Sequence, residues 1–287
     1  MHAESFFVIM KALYTEEGDG MIRLIFSDMD GTLLDENGNL PAEFGTVYAR
    51  LKERGIRFAP ASGRQYASLV QTFAPWRDEM IFLAENGTLV MEGGSELFSH
   101  PVDTSLALAV MRTGERLPRV HSVYCGKKCG YLHAVDNTES FRTELAKYVS
   151  DSVVVEDFAA VDDVPIKMAF CDPTGSAAQT IYPTMQQYAD RMQVTLSSAE
   201  WVDVYAQGVS KGVAAQRVQE RFGITPDECV AFGDYGNDLE LMDAVTYSFA
   251  MENAISAVQE RARYRAPSNR EHGVMAVCER ILAGEFD

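Results

Sequence analysis

The chain has 287 residues, nearly half of them apolar, enough to bury a substantial core in one elaborated domain or two smaller ones. Its 25 basic and 42 acidic residues leave a net charge of −17, which argues against nucleic acid and anionic membrane surfaces as partners; no run of Lys or Arg makes a local exception. No apolar stretch approaches the roughly 20 residues that span a bilayer.

Five scattered cysteines, Cys125, Cys129, Cys171, Cys229 and Cys278, read as reduced core thiols of a cytoplasmic protein. The close pair Cys125 and Cys129 lacks a second Cys or His pair to complete a zinc site. At the N-terminus, Ser5 to Met10 is too short for the apolar part of a signal sequence, and the acidic stretch that follows is no cleavage site. Residues 1–20 are set aside as an N-terminal extension, free to be disordered, and Met21 opens the first strand abruptly enough to be a natural start.

From Met21 onward strands and helices alternate. The apolar run Met21 to Ser27 is a buried strand that ends on Asp28-Met29-Asp30-Gly31-Thr32. Pro41 stands at a first helical position, Phe44, Val47, Tyr48 and Leu51 recur at helical spacing, and Gly55 stops the run. A second strand, Ile56 to Ala61, ends at Ser62-Gly63-Arg64. A helix with Tyr66, Leu69, Val70 and Phe73 on one face then leads to a third strand, Met80 to Ala84, ending at Glu85-Asn86-Gly87. Helices of this length between strands imply a parallel sheet.

After about residue 100 the texture becomes that of an α+β module. Helices are expected near 103–117, 138–150 and 174–192, and short strands near 120–125, 130–135, 153–156 and 164–170. The core pattern is expected to resume with Trp201 to Tyr205, a helix from Lys211 to Phe222 and a strand from Glu228 to Asp234. Further βα units run to Leu282.

Several strand ends carry chemistry. In an open α/β sheet ligands sit beyond the carboxyl ends of the strands, where a carboxylate can hold a hard cation or attack an electrophile. Asp28 and Asp30 stand there, and Gly31 leaves no Cβ in the way of an oxyanion. A calcium loop would need its glycine sixth and a Glu twelfth, whereas Gly31 is fourth. Ser62 offers a hydroxyl before a helix start. Ser210 reads as an N-cap followed by Lys211, a cation placed against the helix dipole and therefore in need of an anion. Asp234 and Asp238 lie four apart at another strand end, near enough to share one cation.

In this order, Asp28-x-Asp30-Gly-Thr, Ser62-Gly-Arg64, Lys211 and Gly233-Asp234-x-x-Asn237-Asp238 resemble the four motifs of the haloacid dehalogenase superfamily. The likeness is strongest to its Cof-type, subfamily IIB, sugar-phosphatase-like branch, and Asn86-Gly87-Thr88, Met251-x-Asn253-Ala254 and Asn269 to Gly273 add to it. The resemblance implies a doubly wound, mainly parallel Rossmann-like core of residues 21–100 and 196–287, with an α+β cap of the C2B type inserted at 101–195. It implies a phosphatase acting on a small sugar phosphate-like metabolite. Asp28 would be the nucleophile forming an aspartyl-phosphate, and Asp30 the general acid and base. Mg²⁺ would be held by Asp28, the carbonyl of Asp30, Asp234 and, directly or through its neighbours, Asp238. Ser62, Lys211, Gly31 and Asn237 would bind phosphate.

Ser62 stands where threonine is more usual, and Tyr235 replaces a small or amide residue, so its ring is placed to narrow the entrance. A phosphomutase with the same nucleophile and a catalytically idle phosphate-sensing module are the alternatives. A dehalogenase would leave Asp30 and the metal acids without a task. His121, Tyr124, Lys127, Lys128, Tyr131 and His133 either line the cap pocket or lie on the solvent face of a hairpin. Nothing in the sequence sets an oligomeric state.

Overall fold

Parallel strands buried on both faces need unbroken apolar runs, and Leu24–Ser27 (β1) is one, each of its residues buried. In this computed structural model, which describes residues 21–286, thirteen more strands follow. They are β2 (Arg57–Pro60), β3 (Ile81–Ala84), β4 (Leu89–Glu92), β5 (Ser95–Ser99), β6 (His121–Gly126), β7 (Gly130–His133) and β8 (Ser152–Val155), then β9 (Pro165–Cys171), β10 (Met192–Leu196), β11 (Trp201–Ala206), β12 (Cys229–Gly233), β13 (Tyr247–Met251) and β14 (Tyr264–Ala266). The residues 1–20 set aside above lie outside the described part.

The core sheet has the order β14-β13-β12-β1-β2, parallel throughout. From β1 the chain winds one way to β2 and later the other way through β12, β13 and β14, so the strand order reverses beside β1. That reversal opens a crevice at the carboxyl ends. Register sets what meets there: Ser27 pairs with both Phe232 and Pro60, so Asp28, Gly233 and Ala61 leave the sheet side by side. Helices including Phe44–Glu53, Lys211–Phe222 and Gly273–Leu282 cover the sheet and complete one apolar core.

A second sheet, β10-β11-β9-β6-β7-β8, is antiparallel except for the parallel pair β7 and β8. Side chains alternate across it. Tyr124, Met168, Phe170, Val202 and Val204 pack on the helix Thr104–Gly114. Val123, Cys125, Ala169 and Trp201 face the other way, with the helix Glu139–Leu145. This sheet and its helices form the inserted α+β cap.

Four readings of the sequence are revised. Trp201–Ala206 does not resume the core; it pairs antiparallel with β9 and β10, a choice made by distant partners that a strand's own residues do not encode. β3 meets the core through a single parallel bridge, Ala61 to Leu83, and otherwise heads an antiparallel sheet, β3-β4-β5. The hairpin β4–β5 was not foreseen, although Gly93 and Gly94, both at positive φ, are a turn signal. The helix expected near 174–192 breaks into Ala177–Thr180 and Tyr182–Met185, with Pro183 in the first turn of the second piece.

Candidate active site

Three acids from two strand ends converge at the crevice: Asp28, Asp234 and Asp238 can each place one carboxylate oxygen within 4.8 Å of the others. Lys211, wholly buried, reaches between two of them, 2.5 Å from Asp28 Oδ1 and 2.7 Å from Asp238 Oδ1. Its place at a helix N-terminus, awkward for a cation, is thereby explained. The helix is capped by Ser210, whose Oγ accepts from Val213 N.

Burial drives the Asp28 carboxyl well above its usual range; Lys211 opposes the rise, and Asp238 and Asp234 add to it. Asp234 is pushed up to about 7, by burial and then by Asp238. Burial works against the Lys211 ammonium, but Asp238 and Asp28 more than offset it, so it stays charged. Three acids and one lysine leave a deficit of positive charge, and the donors are hard carboxylate oxygens, which suits a divalent ion such as Mg²⁺.

The turn after β1 is shaped for this crowding. Gly31 has φ +77°, and a Cβ there would lie 2.4 Å from Asp234 Oδ2. Its missing side chain thus makes room for Asp234 first of all, and not only for a ligand. Thr32 Oγ1 donates to Asp234 Oδ1 at 2.9 Å, and Asn253 Nδ2 donates to the Gly31 carbonyl at 2.7 Å. Asp238 is held from all sides, its Oδ2 accepting from the backbone N–H groups of Asp234 and Tyr235. Gly233 is required beside it, since a Cβ would meet Asp238 Cβ at 2.5 Å.

Asp30 stands apart from the acid cluster. Arg64 grips its carboxylate with two bonds, Nε to Oδ2 at 2.8 Å and Nη2 to Oδ1 at 2.5 Å. Ser62 is buried, and its Oγ accepts from Arg64 N. Asn237 donates to Asn86 Oδ1 at 3.0 Å, and Asn86 in turn donates to Asp203 Oδ2 at 2.7 Å. Asp28, Asp30, Ser62, Tyr235 and Asn237 line one cleft with about 610 Å³ of space between protein atoms, its mouth included.

The sequence reading missed Arg64, Asn86, Lys167 and Asp203 as parts of this site. Arg64 and Asn86 stood inside quoted motifs; Lys167 and Asp203 gave no signal beyond being charged residues in apolar strands. The six candidates of 120–135 do not line the cleft. His121 stacks on Phe141 and meets Asp136, Lys127 pairs with Glu96, Lys128 reaches the Asp162 carbonyl, and Tyr124 and Tyr131 turn to Asp163. His133 Nδ1 accepts from Val135 N. From that segment Cys125 reaches the cleft instead. All five cysteines are buried free thiols, and no helix among the described residues is long and apolar enough to cross a membrane.

Acids gathered at the opening of a doubly wound sheet, with a buried lysine among them, define the class: an α/β enzyme of phosphoryl chemistry. Comparison with known proteins makes it particular. The sequence model of the haloacid dehalogenase-like hydrolases matches residues 25–277. The 5-amino-6-(5-phospho-D-ribitylamino)uracil phosphatase YbjI of Escherichia coli K12 is 33% identical over 271 residues, 92% of this chain and 97% of that protein. SMU.1108c of Streptococcus mutans UA159 superposes with a TM-score of 0.84 at 30% identity, over 91% of this chain and 99% of that one. The HAD subclass IIB sugar phosphatase BT4131 shares the fold, with a TM-score of 0.76 at 18% identity over 90% of this chain and 98% of its own. The chain belongs to the haloacid dehalogenase-like hydrolase family, in its Cof-type branch, and is a phosphoric monoester hydrolase.

Proposed function

We propose that the protein is a Mg²⁺-dependent phosphatase of a small phosphorylated metabolite, working through an aspartyl-phosphate on Asp28. The observation that carries this reading is the meeting of Asp28, Asp234 and Asp238 around the buried Lys211. The ion would be held by Asp28, the Asp30 carbonyl and Asp234, with Asp238 beside them; when bound it neutralises charge on the phosphoryl group.

The chain's own residues account for the steps. Asp28 Oδ1 is held by Lys211, while Oδ2 has no donor among the described residues and is the oxygen that attacks phosphorus. As the Asp28–phosphorus bond forms, the ester bond breaks, and Asp30 gives its proton to the departing oxygen. That transfer requires the Arg64 fork on Asp30 to open when substrate enters and Asp30 to take up a proton from solvent before it can give one. Asp30 then takes a proton from the water that attacks phosphorus, which releases inorganic phosphate and restores the Asp28 carboxylate. Ser62, Lys211, Asn237 and the backbone at Gly31 hold the phosphoryl oxygens.

Strand pairing supports a cap that begins near residue 101 and returns to the core after Ala206. Five buried reduced thiols support a reducing compartment such as the cytoplasm. The test is a phosphate-release screen over metabolite esters, with the ribitylaminouracil phosphate named for the E. coli relative among them. Turnover with Mg²⁺, its loss in chelator and its loss in Asp28→Asn are expected. Turnover unaffected by chelator would overturn the metal, and absence of free phosphate in favour of an isomerised ester would make the protein a mutase.

A further inference from the structure

The turn Ser62-Gly63-Arg64, which carries the phosphate-binding hydroxyl, has each of its three backbone carbonyls tied. Ser62 O accepts from Asn86 N at 2.9 Å and Arg64 O from Glu85 N at 3.0 Å, both donors lying in the turn after β3. The Ser62 N–H is fixed as well, donating to Leu83 O at 2.8 Å. The middle tie has a different origin. Gly63 O accepts at 2.6 Å from Nζ of Lys167, 104 positions away on β9 of the cap. Two thirds of this brace is thus built by the core, and the last third only by the inserted sheet.

Lys167 comes with Cys125, Trp201 and Asp203 from β6, β9 and β11 into the cleft that Asp28 lines, yet its charge is already committed there. Its Nζ lies 2.6 Å from Glu85 Oε2 and 3.6 Å from Asp203 Oδ1, and the Lys167 and Glu85 side chains are 5% and 2% exposed. An ammonium has three donors. The Gly63 carbonyl and Glu85 occupy two, and Asp203 draws the third, so none is left for a leaving group. Burying such a pair costs in lost hydration about what its attraction returns, which makes it a poor device for stability alone. It does fix geometry: Glu85, held at φ 53°, is the residue whose N–H secures the Arg64 carbonyl.

Resting on the phosphatase reading above, we infer that Lys167 is a positioning residue for phosphoryl transfer. From the cap it holds the Gly63 carbonyl and the Glu85 turn, and through them aims the Ser62 hydroxyl and the neighbouring N–H groups at the phosphoryl oxygens. The phosphate-binding turn of the core is complete only with the cap seated on it.

The test compares wild-type protein, Lys167→Met and the double variant Lys167→Met/Glu85→Gln. Each is followed by denaturant unfolding and by kcat and KM with Mg²⁺, on p-nitrophenyl phosphate and on the fastest metabolite ester of the screen above. Lys167→Met strands the Glu85 carboxylate and should unfold at lower denaturant; the double variant strands no acid and should regain the midpoint. Its kcat should nevertheless stay about ten- to a hundredfold below wild type on both esters, with KM within about threefold, because the Gly63 carbonyl is still untied. A double variant that regains kcat together with stability would show that Lys167 only neutralises Glu85, and would overturn the inference. So would a loss confined to the metabolite ester and to KM, which would make Lys167 a leaving-group contact, or a double variant that does not fold, which would make it a brace of the fold. These outcomes sink this inference alone, whereas wild-type protein idle on every ester sinks the phosphatase reading as well.

Discussion

A single ammonium, Lys211, is what makes three neighbouring acids tolerable in a dry site. It pairs with Asp28 and Asp238 while wholly buried, and breaking such a pair strands charge where water cannot reach it. Lys211→Met should therefore destabilise the metal-free protein by about 3–5 kcal/mol, read from denaturant unfolding, and abolish turnover. Asp28→Asn acts in the opposite sense on stability. It removes one of three repelling charges and leaves Lys211 its bond to Asp238, so the metal-free variant should gain about 1 kcal/mol while losing activity by more than about a thousandfold. Loss of both stability and activity would show that Asp28 is needed to hold the site together. At this scale much was legible: Asp28, Ser62 and Asp234 announce themselves by standing just past apolar runs, Lys211 by following an N-cap at a helix start, and Asp238 by lying four residues beyond Asp234. The grip of Arg64 on Asp30 and the chain from Asn237 through Asn86 to Asp203 were not, because contacts across tens or hundreds of positions leave no local pattern.

The turns after β1 and β3 carry backbone that few residues accept. Gly31 has φ +77°, and Glu85, Asn86 and Gly87 have φ of 53°, 60° and 87° in succession. For Glu85 and Asn86 this is strain, held in place because Glu85 pairs with Lys167 and Asn86 bonds to Asp203 and Asn237. Gly31→Ala should cost about 1–3 kcal/mol from the left-handed φ alone, before the clash with Asp234 is counted. Displacing Asp234 should also lower kcat/KM at least about a hundredfold, since small misplacements at a reacting centre are costly. A fully active, equally stable Gly31→Ala would contradict the packing. Helix boundaries such as Lys211–Phe222 and Gly273–Leu282 followed from caps and periodicity. β11 did not, because a strand's alternation shows which face is buried and not which sheet it joins.

Across the whole molecule the net charge of −17 surrounds a site that is itself short of positive charge. Asp234 illustrates the consequence for pH. Its carboxyl rises from an ordinary 3.8 to about 7 on folding, so the folded protein binds the proton more tightly than the unfolded chain. That contribution to stability is fully present below about pH 4 and is lost as pH rises through about 7. The thermal unfolding midpoint of metal-free protein should accordingly fall across this window. Added Mg²⁺ should raise the midpoint more at pH 8 than at pH 5, because it binds the deprotonated acids. A midpoint that rises from pH 5 to 7 in chelator would refute the account. What the amino-acid order alone determined is the alternation of strands and helices and the residue types set at strand ends, because apolar period, capping and turn chemistry act over a few positions. Which strand joined which sheet, and that Lys167, Trp201 and Asp203 face Asp28 across one cleft, was decided only by tertiary packing, where burial and charge pairing join segments far apart in the chain.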